Sequence, residues 1–157
     1  MTEEAQRVFV RTFGCSSSTA DAEFMRGCLV KAGFGLVENA EDADVLVFNT
    51  CGVKSPTENR IIEELKEAEK LEKKLIVAGC LPLIDFERLR NQVKFEGALG
   101  PSSAGRIVEA VKSVLRNEKI QWLDNQAETK PLLALPKQAS NPVVSIVPVA
   151  QGCSGSC

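Results

Sequence analysis

Val45-Leu46-Val47-Phe48-Asn49-Thr50-Cys51-Gly52 is the stretch that decides the fold. Strand-favouring residues run without a polar break and stop at Asn-Thr, a cysteine and a glycine. A short run that is apolar throughout fits a strand covered on both faces, as in parallel sheets. Just beyond it, Ser55-Pro56-Thr57-Glu58 carries three helix-start signals. Ser55 serves as N-cap, Pro56 suits the first helical position, and Glu58 closes a capping box. One window therefore spells strand, loop and helix.

The same unit occurs twice more. Val8-Phe9-Val10 leads into Thr12-Phe13-Gly14-Cys15, and Ser16-Ser17-Ser18 then opens a helix that Gly33 ends. Leu75-Ile76-Val77-Ala78 leads into Gly79-Cys80-Leu81-Pro82, where Pro82 is expected to break the chain before a short helix at Asp85–Leu89. A short second strand falls at Gly35-Leu36-Val37 and a weak fifth at Gly97-Ala98-Leu99. Ser102 or Ser103 caps a last helix with the stripe Ile107, Val111, Val114 and Leu115. The expected fold is α/β and flavodoxin-like: about five parallel strands in the order 2-1-3-4-5, with helices on both faces.

Within the first helix, Met25, Cys28, Leu29 and Ala32 recur at i, i+3, i+4 and i+7, so Cys28 reads as a small core hydrophobe. Asp21 and Glu23 read as first-turn acids set against the helix dipole. In the second long helix Ile61, Ile62, Leu65 and Ala68 face inward. Glu63, Lys66, Glu67 and Lys70 form a solvated charged face with i,i+4 pairs.

Periodicity fades near Asn117. Residues 1–117 read as the folded domain and 118–142 as a proline-bearing linker with an edge strand around Ile120–Leu123. Residues 143–157 read as the truncated start of a second domain: a buried strand at Val143–Val149, then half a cysteine motif in Gln151-Gly152-Cys153-Ser154-Gly155-Ser156-Cys157.

With 157 residues, 44% hydrophobic and 25% charged, the composition is that of an ordinary soluble domain. No apolar run approaches the roughly 18–20 residues of a membrane span, and the acidic start MTEEAQR is unlike a signal peptide. The expectation is a cytoplasmic protein without a membrane partner, whose six cysteines are not disulfides. Histidine is absent, which excludes Cys2His2 zinc and any Cys–His or Ser–His nucleophile pair within this chain. A net charge of −2 announces no nucleic-acid surface.

In the expected strand order, the three cysteine-bearing strands are consecutive neighbours. With strands about 4.8 Å apart, the outer two lie about 10 Å apart, a gap that short loops can close. Cys15, Cys51 and Cys80 are thus candidate metal ligands at one sheet edge. Thiolates without histidine suit an iron–sulfur cluster. Zinc, which normally takes four protein ligands, and unmetallated thiols are the competing readings. A serine-rich helix start at 102–105 also leaves open a phosphate- or nucleotide-binding module without a cluster.

These stations resemble the radical S-adenosylmethionine methylthiotransferases. The matching pieces, in that family's order, are Thr12-Phe13-Gly14-Cys15 with Asp21 and Glu23, Asn49-Thr50-Cys51, Ala78-Gly79-Cys80, and Gln151-Gly152-Cys153 with Cys157. The run Asn49–Arg60 looks most like the archaeal and eukaryotic branch that acts on threonylcarbamoyladenosine beside the tRNA anticodon. Ser18 and Ala22 depart from the family's usual Asn and Ser. The radical motif C-x-x-x-C-x-x-C is represented by Cys153 and Cys157 alone.

The resemblance implies that Cys15, Cys51 and Cys80 hold an auxiliary 4Fe–4S cluster whose open iron carries the sulfur to be inserted. Cys153 and Cys157 would hold a second cluster that binds S-adenosylmethionine, as metal ligands and cofactor-binding residues at once. It also implies a tRNA substrate and an electron donor for the full-length protein, and an inactive truncated chain. The alternative within the resemblance is the same enzyme class acting on isopentenyladenosine or a ribosomal-protein aspartate.

Overall fold

The computed structural model describes residues 5–52, 55–101, 103–123 and 132–149. Its sheet holds β1 (Arg7–Thr12), β2 (Gly35–Val37), β3 (Val45–Thr50), β4 (Lys74–Gly79), β5 (Gly97–Leu99) and β6 (Ile120–Trp122) in the order β2-β1-β3-β4-β5-β6. Every pairing is parallel. The helices are α1 (Ser16–Lys31), α2 (Ser55–Glu69), α3 (Cys80–Ile84), α4 (Phe86–Gln92) and α5 (Ile107–Leu115). The flavodoxin-like order stands, and the edge strand expected around Ile120–Leu123 joins the same sheet as β6. β5 is interior rather than an edge, because β6 pairs with it and the Gly100 amide extends that ladder to the Trp122 carbonyl at 2.9 Å.

The period-2 alternation of β3 supplies two cores. Val45 and Val47 face α1 and α5, packing with Met25, Leu29, Ile107, Val111 and Val114. Leu46 and Phe48 face α2, α3 and α4, packing with Ile61, Leu65, Leu81 and Leu89. All six β3 residues are buried, which is why that run shows no polar alternation.

Helix ends follow local chemistry, with corrections. At the end of α1 the Phe34 amide bonds the Leu29 carbonyl and the Gly33 amide bonds that of Val30, both at 3.0 Å, with Gly33 at φ +92°. This is a Schellman ending. Ala32, expected on the apolar stripe, is the exposed C-cap. Because α1 begins at Ser16, Asp21 and Glu23 lie beyond its first turn, and Glu23 is buried. α2 begins at Ser55 itself, and Glu58 accepts from Arg88 Nη1 while Arg88 Nη2 donates to Asn59 Oδ1 at 2.7 Å, tying α2 to α4. The side chains of Ser55, Pro56 and Thr57 lie outside the described residues.

Pro82 does not break the chain; it sits in the first turn of α3, where its missing N–H has no intrahelical partner to lose. Asp85 caps α4 by accepting from the Arg88 amide at 3.2 Å. Charged pairs on α2 form mostly at i,i+3, Lys66–Glu63 at 2.9 Å and Lys70–Glu67 at 2.6 Å.

Two expectations beyond residue 117 change. The linker is not free of the domain: Leu135 packs against the first core, and the chain from Pro136 to Ser140 lies along α1. Val143–Val149 forms no strand. Val143 and Val149 are 89% and 91% exposed. An apolar run becomes a buried strand only with a neighbour to complete its ladder, and this run pairs with none of the six strands of the sheet. Among the described residues, no helix is long and apolar enough to cross a membrane.

Candidate metal centre at the strand ends

Register brings the three cysteines together. Thr12 pairs with Asn49, and Thr50 pairs with Gly79, so Cys51 and Cys80 step off directly opposed positions of neighbouring strands. Cys15 follows β1 after two residues, Phe13 and Gly14, and is the N-cap residue of α1. Cys51 lies in the turn after β3, and Cys80 is the first residue of α3.

Two glycines let these loops close on one another. Gly79 has φ +96°, and a Cβ there would stand 2.2 Å from the Thr50 carbonyl oxygen. Gly14 has φ +125°, and a Cβ there would stand 2.8 Å from Cys51 Cβ, so the Cys15 turn abuts Cys51 directly.

Buried polar side chains fix this edge from below. Asn49 Nδ2 donates to the Ser18 carbonyl at 2.8 Å and Thr12 Oγ1 donates to the same oxygen at 3.3 Å, pinning the first turn of α1 to β1 and β3. Thr50 Oγ1 donates to the Ala78 carbonyl at 2.7 Å. Asn49 and Thr50 are missed by a reading centred on thiols. The signal was present: two polar residues end an otherwise apolar strand immediately before a cysteine.

The thiols differ electrostatically. Cys15 is exposed, and the Ser18 amide, aided by that of Ser17 and by the Ser18 hydroxyl, holds it below the ordinary thiol value against the opposing effect of burial. Burial pushes the Cys80 thiol up, and the charges of Cys51, Cys15 and Asp21 push it further. Asp21 therefore belongs to the surroundings of this edge. Cys28 is buried in the first core, as expected of a packing cysteine.

Among the described residues, no three His, Cys, Asp or Glu side chains gather closely enough to hold one metal ion. Cys153 and Cys157 lie outside the described residues, as does Ser102. The Ser103 hydroxyl turns back to the Gly100 carbonyl and caps no helix, since a 3-10 turn at Ala104–Arg106 intervenes before α5. The phosphate-cradle reading of this helix start gains no support from it.

The profile of the family described as "Uncharacterized protein family UPF0004" matches residues 7–100. The chain belongs to this family. The match spans the cysteine edge of the UPF0004 domain from β1 to the end of β5, in agreement with the methylthiotransferase resemblance of its cysteine stations. The chain is similar to the "Probable threonylcarbamoyladenosine tRNA methylthiotransferase" of Methanothermobacter thermautotrophicus, 37% identical over 155 residues that cover 96% of this chain and 35% of that protein. The "Threonylcarbamoyladenosine tRNA methylthiotransferase" of Homo sapiens is 31% identical over 157 residues, covering 97% of this chain and 27% of its own. A relative from Pyrococcus abyssi, "Probable threonylcarbamoyladenosine tRNA methylthiotransferase", is 36% identical over 152 residues, covering 96% and 35%. The chain thus spans about a third or less of the length of the curated relatives it matches.

Proposed function

We propose that this chain is the cluster-bearing N-terminal part of a tRNA methylthiotransferase that modifies threonylcarbamoyladenosine beside the anticodon. The observation that carries this reading is the arrival of Cys15, Cys51 and Cys80 at one edge from three adjacent parallel strands. The names of the matched relatives favour this substrate over isopentenyladenosine or a protein aspartate.

The donor set suits a 4Fe–4S cluster. Cys80 is half-buried, and ionising it beside Cys51 and Cys15 is unfavourable until positive charge arrives. Cys15, Cys51 and Cys80 would hold this auxiliary cluster, while Cys153 and Cys157 would contribute to a second that takes S-adenosylmethionine. Once bound, these groups supply the sulfur, the methyl group and the one-electron chemistry, with an electron donor outside this chain.

The polypeptide's own work is placement. The Ser17 and Ser18 amides favour the Cys15 thiolate, and Asn49, Thr12 and Thr50 keep the three loops in register. A cytoplasmic, reducing setting belongs to the same proposal, because free thiols must persist there. Anaerobic reconstitution with iron and sulfide should give about four irons per chain at this edge. Cys51→Ala should abolish it and Cys28→Ala should leave it unchanged. Full iron retention by Cys51→Ala would overturn the assignment.

A further inference from the structure

Glu23 is 1% exposed, in the middle of α1, on a face that a charged-helix pattern would leave in water. What covers it is a strap from the far end of the chain. The Ser140 amide donates to Glu23 Oε1 at 2.9 Å and the Ser140 hydroxyl to the same oxygen at 2.7 Å. Lys137 Nζ stands 3.2 Å from Oε2, close enough to neutralise it although the angle makes no well-directed hydrogen bond. The Gln138 amide donates to the Glu23 main-chain carbonyl at 2.9 Å. A buried carboxylate is tolerated only with such partners.

The groove is shaped for this strap. A Cβ on Gly27, one turn along α1, would stand 2.2 Å from the Pro136 carbonyl oxygen, so the strap's backbone lies where any side chain would be. Lys137 does not stop at Glu23. Its ammonium also donates to the Ile146 carbonyl at 2.5 Å and reaches Ser145 Oγ at 3.4 Å. One lysine thereby links α1, whose N-terminus bears Cys15, to the run that precedes Cys153 and Cys157 in sequence.

We propose that Glu23 is a positioning residue: its buried carboxylate is the socket in which the Lys137–Ser140 strap locks, and through Lys137 it fixes the path of the chain toward the second cysteine motif. The significance of that path rests on the function proposed above; the lock itself does not. Gln in place of Glu23 keeps an oxygen for Ser140 but removes the charge that Lys137 needs, so the two halves of the lock are separable. In the 157-residue chain, amide exchange followed residue by residue reads the Ser140 half, and chemical shifts at Ser145–Val147 read the Lys137 half.

In Glu23→Ala, exchange at Gln138 and Ser140 should rise roughly tenfold or more, the size of a lost hydrogen bond to a charged group, with β3 and β4 amides unchanged. Trypsin should then cut after Lys137, a bond it spares in the unaltered chain. In Glu23→Gln, Ser140 should stay protected while the chemical shifts of Ser145–Val147 move toward those of an unstructured chain. Should Glu23→Ala fail to fold, the strap-side double change Lys137→Met with Ser140→Gly, which removes the ammonium and the hydroxyl and keeps the amide of residue 140, must likewise raise exchange at Gln138. Protection of Gln138 that survives the strap-side change, or trypsin resistance at Lys137 in Glu23→Ala, would overturn the proposal. Iron reconstitution on the same samples separates the two readings: a released strap with no iron bound to the unaltered chain sinks the cluster assignment alone, and bound iron with an unmoved strap sinks the lock alone.

Discussion

Gly33 and Gly79 make a controlled pair, since both have positive φ but only one is crowded. Around a Cβ at Gly33 nothing lies within 4 Å, so Gly33→Ala should cost only the backbone preference, about 1–2 kcal/mol in urea unfolding. Gly79→Ala adds a collision with the main chain of Thr50, which cannot give way without breaking the β3–β4 ladder. It should cost clearly more than Gly33→Ala and abolish iron binding, and equal costs would show that the strand end relaxes freely. The thiols offer a second test at this scale. In the metal-free chain Cys15, exposed and held below the ordinary thiol value by the Ser18 amide, is ionised at lower pH than Cys80, which burial holds above it. Iodoacetamide should therefore modify Cys15 first as pH is raised, Cys80 later, and Cys28 only on unfolding; mass spectrometry of partially alkylated chain reads the order. Modification of Cys80 before Cys15 would contradict the described edge.

Among the elements, the strand–loop–helix units were legible because runs such as Val45–Phe48 and helix stops such as Gly33 act locally, within a few residues of themselves. Strand β6 was marginal: its three residues, Ile120–Trp122, owe their pairing to the exposed edge of β5 rather than to their own pattern. The strap was illegible. Gly27 looks like a helix weakness and Glu23 like a solvated acid until Pro136 and Ser140 are seen against them, and nothing within a short window announces a contact across more than a hundred positions. The sequence placed the cysteines at the edge but not the Asn49 and Thr50 contacts beneath them. The α1–strap contact also has a pH signature. Burial alone would push the Glu23 carboxyl up, yet the Ser140 amide and hydroxyl and the Lys137 ammonium hold it below its ordinary value. A carboxyl depressed on folding contributes stability that is fully present above its unfolded value and is lost as pH falls through the folded one. The Ser140 amide resonance should accordingly titrate with a midpoint under the ordinary glutamate value of 4.5, and Glu23→Gln should erase that titration. A midpoint above it would mean that burial outweighs the partners.

For the molecule as a whole, 19 basic residues face 21 acidic ones, and several of the basic side chains on and beside α2 are already paired, Arg11 with Glu64 at 2.8 Å and Lys66 with Glu63 at 2.9 Å. Phosphate neutralisation by free lysine and arginine supplies most non-specific RNA affinity. The isolated chain should thus bind tRNA only weakly at about 0.15 M salt, near physiological ionic strength. Sub-micromolar, modification-specific binding in a filter or anisotropy assay would show that this domain reads the RNA itself. The parallel order has one more consequence, for how such a chain can change over generations. Connections entering strands, such as 70–73 and 93–96, lie at the edge away from the cysteines, and a residue inserted there lengthens a loop at little entropic cost. A residue inserted inside β1, β3 or β4 would slide its thiol by a strand step of about 3.3 Å and turn it to the other face. Length variation should therefore collect at one rim of the sheet and be purged from the other.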